Sequence, residues 1–337
     1  MKYAIWNNKG GVGKTFLTFI LGSEYAHIHP DEDVLLVDMC PQANLSEIIL
    51  GGNGNGSKEL DKVLKENNRL TVGGYFDSRV SSPHNMTGDE TSYLLRSVDY
   101  NKQLPENLWL ICGDPSLEIQ SQVINQIGTQ TLPINAWKNV HSWLKELIQA
   151  CSNKLTKGRN TKITVFIDCN PSFSAYTELV MATAERLIIP CTSDGSSARA
   201  IDNVAALLFG VGTNKQYESV NYSTKAYSFG IALPLIYSVI LNRSTTWNER
   251  ANKAFQAMFD EIKRRVKNHQ EKQVFDRKLC FNEIPDTHSV TIVCSHYGMP
   301  LYHLKPGSYP VHDKNPQVNK EPLERYRRKV KTLVNIL

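Results

Sequence analysis

The residues with the clearest chemical potential lie near the start of the chain, in the heptad Lys9-Gly10-Gly11-Val12-Gly13-Lys14-Thr15. A short apolar run, Tyr3–Trp6, precedes the heptad, and a second apolar run, Phe16–Leu21, follows it. This order predicts a strand, a glycine loop and a helix, which is the setting of a phosphate-binding P-loop. Its glycines let backbone N–H groups point at phosphate oxygens, and the following helix presents its positive end to them. In such a loop Lys14 reaches the β- and γ-phosphates and the Thr15 hydroxyl ligates Mg²⁺.

Two aspartates downstream each end an apolar run. Asp38 ends the run 33–38, and Asp168 ends the run 163–168. Such runs are typical of parallel strands covered on both faces, and functional side chains in these sheets lie at the carboxyl ends of the strands. Apolar residues ending in an aspartate after a P-loop indicate a Walker B strand, which holds the water shell of Mg²⁺. We therefore expect Thr15, Asp38 and Asp168 to form the magnesium site.

The heptad carries a second lysine, Lys9, and so resembles the deviant Walker A motif of the ParA/MinD family of ATPases. Residues 38–44, Asp-Met-Cys-Pro-Gln-Ala-Asn, resemble the switch I segment of that family, commonly Asp-x-Asp-Pro-Gln-x-Asn. Residues 168–172 resemble switch II, with Asn170 in place of one proline. The resemblance implies that ATP drives formation of a homodimer, in which Lys9 reaches the nucleotide of the partner subunit. Lys9, Lys14, Asp38 and position 40 would then be the catalytic positions.

Position 40 departs from the family pattern, because Cys40 stands where the second switch I aspartate is usual. In the family that carboxylate orients or activates the water that attacks the γ-phosphate. A thiol accepts hydrogen bonds weakly, and its ordinary pKa is near 8.5. Losing such a group costs about 10²–10⁴ in rate. We therefore expect slow intrinsic hydrolysis, unless another group, such as one from a partner protein, takes over the role.

The residues expected to contact ATP share a position in the P-loop or at the end of a later strand. They are Gly10, Gly11, Val12, Gly13, Lys14, Thr15, Phe16, Asn242 and Pro285. The last two match family positions that contact adenine, although each is equally explained as an ordinary residue at a strand end.

Two basic segments are candidates for DNA contact: a predicted helix at 249–270 and a C-terminal helix at 321–337. Their candidate residues are Arg264, Arg265, Lys267, Arg327, Arg328 and Lys331. For the C-terminal helix three interpretations stay open. It packs on the sheet with a solvated basic face, it binds DNA phosphates without sequence preference, or it lies on a membrane as in the MinD branch. The membrane interpretation is the weakest, because the apolar face has few large aromatic residues.

The composition predicts one soluble α/β domain that spans residues 1–337. The chain has 337 residues, a net charge of +5 and seven cysteines without a Cys-x-x-Cys pair. No run of eighteen apolar residues and no signal peptide are present, so we expect a reducing, cytoplasmic setting. Alternating strand and helix patterns predict a doubly wound, mostly parallel sheet flanked by helices. Irregular insertions are expected at 51–105 and 210–230, with a flexible glycine-rich loop at 51–58.

The function implied by the resemblance is that of an ATP-switched dimer in plasmid or chromosome partitioning. It would bind DNA non-specifically and be released by a partner protein. Because of Cys40, a nucleotide-gated scaffold of a mobile-element or defence system, with little turnover, is the main alternative. A MinD-like membrane ATPase is a third possibility. A nitrogenase-reductase-like redox ATPase is disfavoured, because no cysteine spacing suits an iron–sulfur cluster bridging two subunits.

Overall fold

A computed structural model describes residues 1–65, 69–130, 134–159, 161–192, 195–244, 246–247, 250–251, 257, 260–265 and 275–337. The chain forms two compact units, each assembled from three separate segments. The first unit contains residues 1–14, 121–146 and 169–286. The second contains residues 15–120, 147–168 and 287–337.

The strands of the described residues are, in chain order, β1 (Lys2–Ile5), β2 (Asp33–Met39), β3 (Leu95–Arg96), β4 (Leu108–Ile111), β5 (Ile163–Cys169), β6 (Arg186–Cys191), β7 (Leu235–Ser244), β8 (Thr246–Trp247), β9 (Arg250–Ala251), β10 (Phe275–Pro285), β11 (Gly307–Ser308) and β12 (Gln317–Val318).

The α-helices with described ends are α1 (Lys14–Ile28), α2 (Asn44–Ile49), α3 (Gly52–Lys65), α4 (Val72–Ser81), α5 (Ser97–Tyr100), α6 (Leu117–Gly128), α7 (Ala136–Thr156), α8 (Ala175–Thr183), α9 (Gly195–Phe209), α10 (Tyr222–Ser228), α11 (His288–Tyr297) and α12 (Lys320–Val334). Two 3₁₀ helices cover Glu90–Tyr93 and Lys215–Val220.

Four strands of the first unit lie side by side in the order β10, β7, β6 and β1, and all three pairs are parallel. The chain adds them in the order β1, β6, β7, β10, with helices between. The side chains of β1, β6 and β7 are largely buried, as in Leu187, Ile188 and Ile189 of β6, whereas β10 is buried only at its end. Parallel strands covered on both faces carry such continuous apolar runs.

The strands of the second unit lie in the order β5, β2, β4 and β3. β2 and β4 are parallel, whereas the short β3 runs antiparallel to β4. Every residue of β2 is buried. The mostly parallel α/β arrangement predicted from the sequence is therefore confirmed, and both aspartate-ending runs are strands.

One predicted loop is wrong. The glycine-rich residues predicted as a flexible loop at 51–58 instead form most of the first two turns of α3. Gly52 and Gly56 are buried, and the neighbouring residues 72–81 form a further helix, α4. The remainder of 51–105 is thus more regular than its polar composition indicated.

The basic helix predicted at 249–270 is wrong at its start, because Arg250–Ala251 is the strand β9, paired antiparallel with β8. Residues 260–265 are helical. The rest of that prediction, including Lys267, lies outside the described residues.

The C-terminal helix is confirmed, and its apolar stripe is buried at Tyr326, Val330, Leu333 and Val334. Burial of this stripe leaves Arg328, Lys329 and Lys331 exposed on the outer face of α12. None of the helices in the described part of the chain has both the length and the apolar character needed to span a bilayer.

Candidate functional site

The P-loop belongs to the first unit up to Lys14, and its backbone is shaped by glycine. Gly11 and Gly13 have φ values of 74° and 83°, a region that other residues rarely adopt. A Cβ atom placed on Gly10 or Gly11 would meet no heavy atom within 4 Å. The loop therefore leaves open space beside its backbone, which suits the close approach of phosphate oxygens.

Lys14 is held by the loop itself. Its ammonium donates to the carbonyl oxygens of Lys9, at 2.9 Å, and Asn7, at 3.2 Å. Only 7% of the Lys14 residue is exposed. Asn7 braces the same loop, because its amide donates to the carbonyl of Pro190 at 2.7 Å and its Oδ1 accepts from the Lys9 N–H at 3.0 Å. A buried lysine held by two carbonyls can exchange them for phosphate oxygens, which carry full negative charge.

Lys9 is half-buried, and its side chain points back onto its own chain. Its ammonium donates to Thr192 Oγ1 at 3.1 Å. Thr192 follows β6, so the lysine spans from the P-loop to the end of that strand within the first unit. To act on another subunit, Lys9 must exchange this hydroxyl for a different acceptor.

The two adenine candidates lie at the carboxyl ends of paired strands. Asn242, on β7, pairs in register with Ile284, the residue before Pro285 at the end of β10. The Asn242 amide donates to the carbonyl of Val12 at 2.9 Å. Asn242 thus supports the P-loop backbone directly, and a contact with adenine would be additional to this role.

The magnesium candidates Thr15, Asp38 and Asp168 all belong to the second unit. Asp168 is fully buried near the end of β5, and its Oδ1 accepts from Thr18 Oγ1 at 3.4 Å. Thr18 lies one turn after Thr15 on α1. These residues offer hydroxyl and carboxylate oxygens, which are the ligands that Mg²⁺ prefers.

Asp38 is bound by its own segment. Its carboxylate accepts from the backbone N–H of Cys40 at 3.1 Å, the N–H of Ser46 at 2.9 Å and Ser46 Oγ at 2.8 Å. Ser46 Oγ also accepts from the N–H of Gly113 at 2.8 Å. Burial raises the pKa of Asp38 to about 6, although the hydrogen bonds from Ser46 and Cys40 act in the opposite direction. Asp38 therefore fixes the fold of the segment that carries Cys40.

Cys40 is only 8% exposed and lies in the turn before α2. None of the seven cysteines forms a disulfide, so position 40 carries a thiol. Among the described residues, no group of three or more His, Cys, Asp or Glu side chains could hold a metal ion. A magnesium ion here would need oxygens from phosphate and water besides the protein, which is usual for this ion at nucleotide sites.

The candidate DNA contacts differ in how firmly they are held. Arg264 and Arg265 each donate to Glu261 at 2.8 Å, and Arg265 also pairs with Asp202. Arg327 donates to the carbonyls of Leu301 and Leu304 and to Glu324, which makes it a brace of α12. Arg328 and Lys331 are exposed on the same helix.

Several residues that shape the site were not predicted from the sequence: Asn7, Thr18, Ser46 and Thr192. Asn7 and Thr192 carry one weak signal, since each is a polar residue directly after an apolar strand. The roles of Thr18 and Ser46 have no such signal, because Asp168, which binds Thr18, and Gly113, which binds Ser46, come from distant parts of the chain.

Comparisons with known proteins agree with this geometry. A family model described as an AAA domain (AAA_31) matches residues 1–218. A comparison with curated proteins gave no match. Among solved structures, apo McdA from Cyanothece is similar over 98% of each chain, with 16% identity and a TM-score of 0.62.

Two nucleotide complexes are similar as well. An ATP complex of a McdA variant from Cyanothece covers 99% of this chain and 96% of its own, with 16% identity and a TM-score of 0.62. A plasmid partition protein from Borrelia burgdorferi bound to AMPPNP covers 100% and 98%, with 16% identity and a TM-score of 0.53. At this identity the likeness shows a common fold.

Proposed function

Since this chain belongs to the ParA/MinD family of P-loop ATPases, we propose that it is a partition-type ATPase that binds ATP with Mg²⁺ and dimerises in the ATP state. The observation that carries the proposal is the P-loop itself. It follows β1, enters α1, opens around Gly10 and Gly11, and holds Lys14 on two exchangeable carbonyls. The two units would act as one ATPase domain.

In this proposal the loop backbone and Lys14 bind the phosphates, while Thr15 and Asp168 hold Mg²⁺. Asp38 holds the switch I segment in its observed fold. Lys9 leaves Thr192 and reaches the nucleotide of a second subunit. ATP favours the dimer only to the extent that it binds that state better, and a lysine acting across the interface supplies such a difference.

Slow hydrolysis follows from the surroundings of position 40. Cys40 offers no carboxylate, and the nearest one in sequence, Asp38, already accepts three hydrogen bonds from its own segment. Replacing those donors to recruit Asp38 as a base would disrupt the switch I turn. The protein would therefore stay long in its ATP state until a partner protein triggers release.

Turnover by Cys40→Asp, with dimerisation followed in parallel, tests this proposal. We expect the aspartate to raise kcat by about 10²-fold, because it restores a water-orienting carboxylate. Cys40→Asn is the matched control, since it has a similar size and polarity but cannot accept a proton. Brisk turnover by the wild type that does not change in Cys40→Asp would contradict slow hydrolysis. Tight ATP binding by a Lys14→Ala variant would contradict the assignment of residues 9–15 as the P-loop.

The dimer has its own test. Lys9→Ala should bind ATP with near wild-type affinity but fail to dimerise with ATP, as measured by sedimentation. Thr192→Val removes the hydroxyl that holds Lys9 in the monomer, so it should favour the dimer. If Lys9→Ala still dimerises with ATP, the role of Lys9 across the interface is wrong.

DNA binding is proposed for the outer face of α12, through the exposed Arg328 and Lys331. Phosphate contacts make binding sensitive to salt, so affinity for random-sequence duplex DNA should fall steeply as salt rises. Arg328→Ala/Lys331→Ala should weaken binding and flatten that dependence, whereas Arg264→Ala, which removes a cation already paired with Glu261, should change it less. The buried apolar stripe of α12 does not favour a membrane role.

Cys40 also supports a second candidate, a nucleotide-gated scaffold with negligible turnover. The same turnover assay separates the two functions. A scaffold would bind ATP and dimerise but show neither measurable hydrolysis nor salt-sensitive DNA binding.

A further inference from the structure

Two cavities adjoin in the second unit, and both are lined by His296 of α11 and by no residue of the P-loop. One, of about 790 Å³, lies between α11 and residues 311–316. The other, of about 900 Å³, lies between the start of α3 and residues 99–103. Asn53 lines the first, whereas Gly54 and Asn55 line the second. We call Asn53, Gly54, Asn55 and His296 the glycine saddle.

The glycines of α3 differ in what an added Cβ atom would contact. A Cβ on Gly52 would lie 2.2 Å from the carbonyl oxygen of His296, and one on Gly56 would lie 1.9 Å from that of Glu47. Both positions therefore require glycine for packing. A Cβ on Gly54 would meet only His296 Cε1, at 4.0 Å.

Nothing in the described fold thus requires glycine at position 54, which is exposed within a helix. Glycine is a poor helix former compared with alanine, so a glycine at this position lowers the helix propensity of α3. Such departures without a packing reason are expected at functional positions. A missing side chain between two cavities leaves room for the backbone of another chain to cross.

The polar groups around the saddle fit a peptide. Exposed amides of Asn53 and Asn55 can pair with the N–H and C=O groups of an extended segment. Exposed lysines line both cavities: Lys58, Lys62 and Lys102 line the larger one, and Lys314 lines the smaller one. Lys62 is already paired with Glu59 at 2.7 Å.

Carboxylates in the same lining argue against nucleic acid. Glu59 and Asp99 line the larger cavity and Asp313 lines the smaller one, where they would repel a phosphate backbone. A peptide can place an acidic side chain beside Lys58 or Lys102 and keep uncharged backbone beside the carboxylates.

The first cavity, between α11 and residues 311–316, is also lined by a residue with strained backbone. His312 has φ 51°, an uncommon conformation for a residue other than glycine, in a turn closed by two hydrogen bonds between Val311 and Lys314. Its ring lies 5.0 Å from the ring of His296, edge to face. The Nδ1 atom of His296 has no hydrogen-bond partner among the described residues. Strained backbone of this kind clusters at binding sites.

We propose that the glycine saddle binds an extended, acidic segment of the partner protein, whose backbone crosses Gly54 and whose carboxylates pair with Lys58 and Lys102. This inference rests on the proposed function, because a partition-type ATPase needs a partner that responds to its nucleotide state. It adds the location and the chemistry of that contact.

The test is a differential selection on the full-length protein from a displayed library of random 12-residue peptides. Peptides are selected on the wild type and counter-selected on Gly54→Leu/Lys58→Glu/Lys102→Glu. The leucine covers the saddle, and the two glutamates reverse its charge. Lys157→Glu is the matched control, because it reverses an exposed lysine of the same unit that lines neither cavity.

We expect enriched peptides to be rich in Asp and Glu and to lose at least tenfold in affinity for the triple variant, with no loss for Lys157→Glu. Thermal melting and ATP affinity of each variant, measured first, should match the wild type. Variants that bind ATP normally but yield no discriminating peptide would overturn the saddle and leave the ATPase proposal intact. If the wild type itself does not bind ATP, the ATPase proposal is wrong. Displacement of the peptides by a dT20 oligonucleotide would assign the saddle to nucleic acid and also overturn it.

Discussion

The P-loop at 9–15 and the segment 51–56, which leads into α3, are both rich in glycine and have opposite structures. The first is an open loop with Gly11 and Gly13 in the left-handed region. The second, from Gly52, is the start of a 14-residue helix. The difference shows that glycine content alone does not define a loop. What each glycine does depends on what its absent Cβ would touch.

The missing Cβ has three roles here. At Gly11 and Gly13 it permits a positive φ. At Gly56 it permits another backbone to come close, and at Gly52, whose φ is 83°, it does both. At Gly10 and Gly54 neither reason applies, since no positive φ is found there and no atom lies closer than 4 Å to the added Cβ. These two positions lie at the phosphate loop and the glycine saddle, where we propose that ligands approach.

The largest expected effect is on folding. Gly56→Ala would place a methyl group 1.9 Å from the carbonyl oxygen of Glu47, so α2 and α3 would have to separate. Overpacking of this kind costs about 3 kcal/mol. The free energy of unfolding, measured with urea, should fall by this amount. A variant as stable as the wild type would show that α3 does not pack on α2 as described.

The helices that follow the two glycine segments are also held differently. α1 is anchored through Glu24, whose carboxylate accepts from the N–H of Tyr302 at 3.0 Å. Burial raises the pKa of Glu24 to about 7, against opposing contributions from that hydrogen bond and Arg327. α3 instead packs closely against other backbone at Gly52 and Gly56, and peptide groups do not titrate in this range.

Glu24→Gln should therefore change stability only at higher pH. A carboxyl group with a raised pKa in the folded state costs stability as pH rises from its unfolded value, near 4.5, through its folded value, near 7. Glutamine removes that cost, so at pH 8 the variant should be more stable by about 3 kcal/mol. At pH 4.5 the two proteins should unfold alike. The measurement is urea unfolding at both pH values, and an equal difference at both would show that Glu24 does not titrate as described.

How much of the fold and of the site could be predicted depends on how far apart along the chain the interacting residues lie. The P-loop, β2 and β5 were predictable because their signals are local: an ordered heptad and apolar runs ending in aspartate. The first two turns of α3 were not, because their glycines and asparagines disfavour a helix and one of the helices that α3 packs on, α11, comes much later in the chain. The contact of Lys9 with Thr192 spans 183 positions, so no local pattern could indicate it.

A smaller effect is expected on binding alone. Gly10→Ala meets no protein atom, so the thermal midpoint should stay unchanged. If phosphate oxygens occupy the space beside Gly10, the added methyl group should weaken ATP binding about tenfold, or about 1.4 kcal/mol. Calorimetric titration with ATP and Mg²⁺ measures this change. Unaltered affinity would show that the nucleotide does not approach the loop at Gly10.

The smallest expected effect has the opposite sign. Gly54→Ala replaces an exposed helical glycine whose added Cβ would only approach His296 Cε1, at 4.0 Å. Because alanine is the better helix former, the free energy of unfolding should rise by about 0.5–1 kcal/mol. Gly56→Ala, two residues away on the same helix, is the matched comparison, with the same chemical change and a large loss. A destabilised Gly54→Ala would mean that position 54 is glycine for folding, and the saddle would then lose the observation that distinguishes it from ordinary packing.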